Sequence, residues 1–360
     1  MLENDVSLML ISREKSLFKK VSTHKTSKGL FLTRKALWLT SQIEEFITRA
    51  LHDGGALIDP FAGEGHLLSV CQQKFNCSVL GYDVVPGKWS INDSLLSIPI
   101  HNNGVIVTNP PYLAKHSAKR KGVYNSVSAY FEKFDFDDLY QLALYQCIKA
   151  ARYTVAIIPE TFLNSDFPKC QLDRVVILEN NPFEDTENPV CVACFDSQSQ
   201  KGQGKIYVGE EYCGTYADIF RHRQSTSRSN RIIFNDPKGN LALRAVDSTD
   251  PKSRMGFAPA NGFDYSRENI KVSSRLLTYI SIKGITDSSM QELIRAANEK
   301  LEALRSVTFD LIFSPFKGNN KIGKRRRRLD YELARFLLSS ALADIENQRH
   351  DLFHASMQKK

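Results

Sequence analysis

The chain has 360 residues, a formal net charge of +8, 42% hydrophobic and 24% charged residues. That length suits one large domain or two, and the ordinary composition excludes disordered and collagen-like chains. No stretch approaches the roughly 20 apolar residues of a membrane span. Glu3 and Asp5, with only a short apolar run at 8–11, argue against a secretory signal, so a cytoplasmic protein without membrane contact is expected.

In chain order, an amphipathic helix is predicted over 41–51, with Ile43, Phe46, Ile47 and Leu51 on one face. Short apolar, β-branched runs follow at 56–58, 78–80, 104–107, 153–158, 174–178 and 190–195, as in strands buried on both faces. Helical segments at 65–75 and 139–151 separate several of them, and such alternation predicts a doubly wound, largely parallel α/β sheet. Cys191 and Cys194 form a lone C-x-x-C inside the last run. With no second ligand pair they read as core cysteines rather than a metal site, and an odd total of seven speaks against a disulfide scaffold. A polar Gly/Gln/Ser-rich stretch at 197–204 marks a linker. Beyond it come short strands at 205–208 and 231–234 and helices at 290–304 and 329–345.

Charge divides the chain at the same place. Residues 1–200 carry 20 Lys+Arg against 22 Asp+Glu, and residues 201–360 carry 28 against 18. A near-neutral catalytic domain at 1–200 joined to a basic, polyanion-binding domain at 201–360 is expected.

Three constellations carry chemistry. The first, Leu57-Ile-Asp-Pro-Phe-Ala-Gly-Glu-Gly-His66, ends a strand at Asp59 and turns through Phe61, Ala62, Gly63 and Gly65 into a helix, which lets backbone approach a ligand closely. The second is a strand ending in Asp83, where a carboxylate can accept both hydroxyl hydrogens of a ribose; Asp93, before the next strand, could accept a ring amine or be a helix N-cap. The third, Val107-Thr-Asn-Pro-Pro-Tyr112, follows a strand directly, and consecutive prolines stiffen it.

Asp59-Pro-Phe-Ala-Gly-Glu-Gly65, Asp83, Asp93 and Asn109-Pro-Pro-Tyr112, in that order, resemble the amino-methyltransferases, specifically the gamma-class N6-adenine DNA methyltransferases of restriction–modification systems. The resemblance covers roughly residues 20–196. It implies a Rossmann-like S-adenosylmethionine methyltransferase core with a C-terminal α+β DNA-recognition domain. It implies S-adenosylmethionine as cofactor, bound by Thr33, Asp59, Phe61, Ala62, Gly63, Gly65, Asp83, Asp93 and Asn109. Thr33 lies in Lys28-Gly-Leu-Phe-Leu-Thr33, which departs from the family by Arg34 where a proline is usual.

The catalytic group would be Asn109, Pro110, Pro111 and Tyr112. An aromatic amine is a poor nucleophile because its lone pair is delocalised. The Asn109 amide oxygen and the Pro110 carbonyl can each accept one N–H and localise that pair, so that positioning and hydrogen bonds suffice. The target must leave the duplex to arrive there. Tyr112 and Phe183, the latter in Asn181-Pro-Phe183, would stack on the flipped base, and Ala156-Ile-Ile-Pro-Glu160 would line its pocket.

Double-stranded DNA is the expected partner, with a companion restriction endonuclease acting on the same site. Lys115, Lys119, Arg120 and Lys121 follow the catalytic loop and could grip phosphates. Arg221, Arg223, Arg228 and Arg231 form a second basic run, and Lys324, Arg325, Arg326, Arg327 and Arg328 a third, with nuclear localisation as its rival reading. The same loop serves enzymes that methylate guanine in RNA or glutamine in proteins; N4-cytosine methylation is chemically close, but that family more often places Ser or Asp where Asn109 stands; and a degenerate fold could bind DNA without catalysis. The basic region after the core and the intact Asp59, Asp83, Asn109 and Tyr112 favour adenine methylation.

Overall fold

Apolar runs flanked by amphipathic segments bury both their faces when the strands lie side by side between two layers of helices. The computed structural model describes residues 36–52, 55–183, 188–199, 203–223, 231–262 and 277–357. It divides into two units: residues 1–160 with 167–212, and residues 161–166 with 213–360.

In unit 1 the elements are α1 (Ser41–Leu51), β1 (Leu57–Asp59), α2 (His66–Phe75), β2 (Val79–Asp83), β3 (Ser90–Ile91), β4 (His101–Thr108), α3 (Lys115–Arg120), α4 (Ser128–Lys133), α5 (Leu139–Ala150), β5 (Ala151–Pro159), β6 (Leu172–Ile177), β7 (Val190–Asp196) and β8 (Lys205–Val208), and β9 (Glu211–Thr215) begins in unit 1 and ends among residues of unit 2. The sheet runs β3-β2-β1-β4-β5-β7-β6-β8-β9. β3 through β5 are mutually parallel, and β7 is antiparallel to both β5 and β6.

The two-residue alternation of strands assigns the helices to faces. Leu57, Val105, Val107, Val155 and Ile157 share a core with Ile43, Phe46 and Ile47 of α1 and Leu67, Leu68 and Cys71 of α2. The intervening Ile58 and Ile106 pack instead with Cys147 and Ala150 of α5. The sheet is doubly wound, as the alternation of runs predicts. Cys191 and Cys194 are buried on β7 without a disulfide, as core cysteines would be.

The expected boundary at 200/201 is displaced. β8 was expected beyond the linker, yet it pairs parallel with β6, Val175 opposite Ile206. Residues up to 212 therefore belong to unit 1. A four-residue strand read alone carries no sign of which sheet edge it will extend.

Unit 2 begins with α6 (Tyr216–Phe220). Its antiparallel sheet holds β10 (Ile232–Phe234), β11 (Leu241–Arg244), β12 (Gly256–Pro259) and β13 (Leu277–Ile282), in the order β10-β13-β11-β12. Helix α7 (Asp287–Val307) is longer than its apolar stripe because Thr286 caps it, its hydroxyl accepting the Ser289 N–H. A ribbon of β14 (Ser314–Asn319) and β15 (Arg325–Arg328) precedes α8 (Tyr331–Met357). Helix α7 buries Leu293, Ala297 and Leu301, and α8 buries Leu333, Leu337 and Ala341. Arg305 makes a two-pronged bond to Asp247, 2.9 and 3.0 Å, in the interior of the unit. The α+β character expected of this part is what the unit has. Among the described residues no helix is long and apolar enough to cross a membrane.

Candidate active site

Chain order reverses between β1 and β4. Strands 1, 2 and 3 step one way across the sheet, and 4 and 5 step the other. Such a reversal opens a crevice beyond the carboxyl ends of the strands, where doubly wound sheets bind ligands. Asp59, Asp83 and the loop after Thr108 all stand at that edge, as expected.

Asp59 is 2% exposed, and its Oδ1 accepts the Thr108 hydroxyl at 2.6 Å and the Phe61 N–H at 3.0 Å. The carboxylate thereby ties the end of β1 to the end of β4, which carries the Asn-Pro-Pro-Tyr loop. Burial, the largest cause, pushes the Asp59 pKa up to about 7 against those two hydrogen bonds, and the Asp83 charge adds to the rise.

The turn from β1 into α2 wraps around Asp83. The Gly63 N–H donates to Asp83 Oδ2 at 2.8 Å and the Val85 N–H to Oδ1 at 2.8 Å. The Ala62 N–H reaches the Tyr82 carbonyl at 2.8 Å. Gly65 caps α2 with φ +82, and a Cβ there would lie 2.5 Å from the Trp89 ring, whose Nε1–H donates to the Gly63 carbonyl at 2.9 Å. Beside Asp83, Val84 and Val85 are 54% and 64% exposed, an apolar pair left open next to an acid. Asp93 closes a turn and caps no helix: Oδ1 accepts the Leu95 N–H at 3.2 Å, while Oδ2 accepts the Tyr130 hydroxyl at 2.8 Å.

The loop at 109–112 is held at both ends. Upstream is the Thr108–Asp59 bond. Downstream, the Leu113 N–H donates to Asp138 Oδ1 at 3.0 Å and the Leu139 N–H to the Leu113 carbonyl at 3.2 Å. Asp138 also caps α5. Burial raises its pKa to about 6 despite the N–H groups of Tyr140, Leu113 and Leu139. The Tyr112 hydroxyl lies 2.6 Å from both Asn109 Oδ1 and the Ile157 carbonyl. Burial is the largest cause holding it protonated well above the ordinary tyrosine range.

Several expected residues stand elsewhere than the sequence suggests. Phe183 is 4% exposed and belongs to the core. Its ring meets Tyr112 at 6.4 Å and 65°, edge to face. A base between two rings needs near-parallel planes separated by two van der Waals gaps, about 7 Å, so this pair is not arranged as a base sandwich. Arg223 is tied to Asp330 at 2.6 Å and to the Ile312 carbonyl at 2.9 Å, a structural bond rather than a surface cation. Arg327 is 4% exposed and faces the interior of unit 2, away from any phosphate. Lys119, Arg120 and Lys121 are exposed at the end of α3, and Lys115 begins that helix, half-buried. Arg221 is exposed, 3.8 Å from Asp218. Thr33 and Arg228 lie outside the described residues. Thr108, Asp138 and Trp89 escaped sequence reasoning. Asp138 had a readable signal, an aspartate at the start of an apolar helix, while the Thr108–Asp59 bond depends on which strands are neighbours.

No protein-family model matches the chain, and no curated protein matches it in sequence. Among solved structures it is similar to a Listeria monocytogenes protein assigned to the class I S-adenosylmethionine-dependent methyltransferases, with 13% identity over 49% of this chain and 65% of that one and a TM-score of 0.31. It is similar to a type I restriction–modification methyltransferase subunit from Streptococcus thermophilus, with 18% identity over 55% and 50% of the two chains and a TM-score of 0.37. The M protein of the type I restriction enzyme EcoKI gives 12% identity over 74% and 71%, with a TM-score of 0.29. The match spans 65% and 50% of the lengths of the first two, less than two thirds of each.

Proposed function

We propose that this chain transfers a methyl group from S-adenosylmethionine to the exocyclic N6 amine of adenine in duplex DNA. The observation that carries the proposal is the Thr108–Asp59 bond of 2.6 Å, which joins an acid-tipped first strand to a stiff Asn-Pro-Pro-Tyr loop at the reversal of the sheet.

The residues at this edge fit the cofactor. Each Asp83 oxygen accepts one backbone N–H and keeps acceptor capacity for ribose hydroxyls. The open Val84 and Val85 offer an apolar face for a purine ring. Asp59 suits the ammonium of the amino-acid end, and the first N–H groups of α2, which have no partner within the helix, suit its carboxylate. Bound there, S-adenosylmethionine supplies a methyl group made electrophilic by a sulfonium.

The rest is the work of the loop. Asn109 and the Pro110 carbonyl accept the two N–H bonds of the target amine, which localises its lone pair. The proton displaced on methylation leaves to water. Tyr112 sets the amide. Its hydroxyl has one proton and two acceptors at 2.6 Å. It donates to Ile157, and both short contacts are satisfied when the Asn109 amide turns its nitrogen toward the Tyr112 oxygen. The amide oxygen then turns away from Tyr112, as acceptance of a substrate N–H requires. The base is extruded from the duplex to reach the loop, and exposed Lys119, Arg120 and Lys121 hold the flanking phosphates. A companion endonuclease cleaving unmethylated sites is the partner this reading implies.

The test is incubation with unmethylated duplex DNA and methyl-labelled S-adenosylmethionine, digestion to nucleosides and identification of the product by mass. We expect N6-methyldeoxyadenosine, lost in Asn109→Ala with cofactor affinity kept within about tenfold, since an interaction made only in the transition state lowers turnover rather than binding. Label in cytosine, RNA or protein instead would overturn the substrate. Full activity in Asn109→Ala would overturn the role of the loop.

A further inference from the structure

Residues 314–328 hold seven Lys or Arg and no Asp or Glu. Folding sorts those cations. Arg327 turns inward, and the backbone on either side of it is pinned: the Arg327 N–H donates to Asp247 Oδ2 at 3.1 Å, and the Asp247 N–H to the Arg327 carbonyl at 3.0 Å. Arg326 lies over the Phe316 ring at 4.8 Å and donates to the Asp247 carbonyl at 2.8 Å. These two anchor the ribbon.

The tip is equally fixed. Asn320 Oδ1 accepts the N–H groups of Ile322 at 3.2 Å and Lys324 at 2.9 Å, and the Lys321 N–H reaches the Thr249 carbonyl at 2.8 Å. On this rigid frame Lys317, Lys321 and Lys324 are exposed, and among the described residues no carboxylate ion-pairs with them. Between two of those lysines Ile322 is 62% exposed. A surface that only needs solvation does not need a hydrophobic side chain held open at a fixed turn among cations. A groove of duplex DNA offers what both want, because phosphates line its walls and sugars and base edges form an apolar floor. The major groove also admits a two-stranded ribbon.

We infer that the β14–β15 ribbon is an arm that seats in a groove of duplex DNA, with Lys317, Lys321 and Lys324 on the phosphates and Ile322 against the groove floor. This rests on the reading of the chain as a DNA methyltransferase.

The experiment measures binding of the full chain to duplex DNA by fluorescence anisotropy across a salt series, beside cofactor binding by calorimetry and binding to phosphatidylserine vesicles. In Lys317→Gln/Lys321→Gln/Lys324→Gln the log–log salt slope should fall by about 0.9 per cation removed, with affinity down at least about tenfold at 0.1 M salt. Ile322→Ser should weaken binding at an unchanged slope. Both variants should keep the parent's cofactor affinity and unfold in urea at the parent's midpoints, which shows that both units fold. If the parent chain binds DNA and both variants bind as it does, the arm is overturned and the methyltransferase reading survives. If the parent methylates and binds no duplex DNA, or binds the vesicles in its place, the reading of the substrate falls and the arm with it.

Discussion

A carboxyl and a phenol, Asp59 and Tyr112, both have raised pKa values, and they differ in what they hold. Asp59 bonds to the neighbouring strand, and burial lifts it to about 7. A folded-state pKa above the unfolded one means that the fold retains a proton the unfolded chain releases, so this group's contribution to stability falls as pH rises from about 4 to about 7. Asp59→Asn should therefore gain stability relative to the parent chain as pH is raised from 5 to 8, while losing cofactor affinity. Urea unfolding at the two pH values checks the first, and calorimetry with S-adenosylmethionine the second; a stability difference that does not change with pH would contradict the assignment of the proton. Tyr112 acts differently. Its hydroxyl stays protonated throughout the accessible range, so the role proposed for it, orienting Asn109, involves no titration. Tyr112→Phe keeps the ring and loses the oxygen that accepts from the Asn109 amide, and should lower kcat about tenfold or more with cofactor affinity within threefold. An unchanged kcat would mean that the amide is set by other contacts.

At the scale of elements, the site depends on a turn with almost no spare room. Gly65 has φ +82 and the Trp89 ring where a Cβ would go, 2.5 Å away. Both the strained conformation and the overlap oppose a side chain. Gly65→Ala should cost about 2–4 kcal/mol in chemical unfolding and weaken cofactor binding, because Trp89 must leave the Gly63 carbonyl. A variant with parent-like stability and affinity would show the turn to be pliable. The ends of the Asn-Pro-Pro-Tyr loop make a related point. Asp59 and Thr108 hold one end, and Asp138, the cap of α5, holds the other. Two prolines stiffen the backbone between them, so the Asn109 position is set by three secondary elements rather than by the loop alone.

At the scale of the whole molecule, each unit joins an apolar core to a buried ionic tie. Unit 1 is built on a two-faced apolar sheet and buries Arg174, 4% exposed, against Asp173 at 2.7 Å and Glu45 at 3.2 Å. Unit 2 carries an ionic tie in its interior, Arg305 with Asp247 and Asp310. Hydrogen bonds from Arg305 and backbone N–H groups outweigh burial and hold Asp247 below the usual carboxylate range. Removing one partner of a buried pair leaves an uncompensated charge and typically costs about 3–5 kcal/mol. Arg305→Met should lower the unfolding free energy by that order, and Arg305→Met/Asp247→Asn should lower it by less, a coupling that a double-mutant cycle reads directly. Since Asp247 also anchors the β14–β15 ribbon through Arg327 and Arg326, the first variant should weaken duplex binding as well.

What was legible in the sequence was local. Runs of Val and Ile read as buried strands, amphipathic spacing placed α1, α5 and α7, and the Asp-x-Phe-x-Gly-x-Gly turn and Asn-Pro-Pro-Tyr loop announced themselves by residue types that only backbone geometry explains. Those signals lie within a few residues of one another, where chain connectivity itself fixes proximity. The tertiary structure decided the rest. It set which strand ends face each other, so that Asp59 meets Thr108 across 49 residues of chain. It also moved the unit boundary past β8 and turned Phe183 into the core. The basic run at 324–328 shows the division most plainly. Its charge is written in the sequence, but a strand alternates its side chains between two faces, and only the packing of β15 on unit 2 determines that Arg327 points inward while Lys324 remains in solvent.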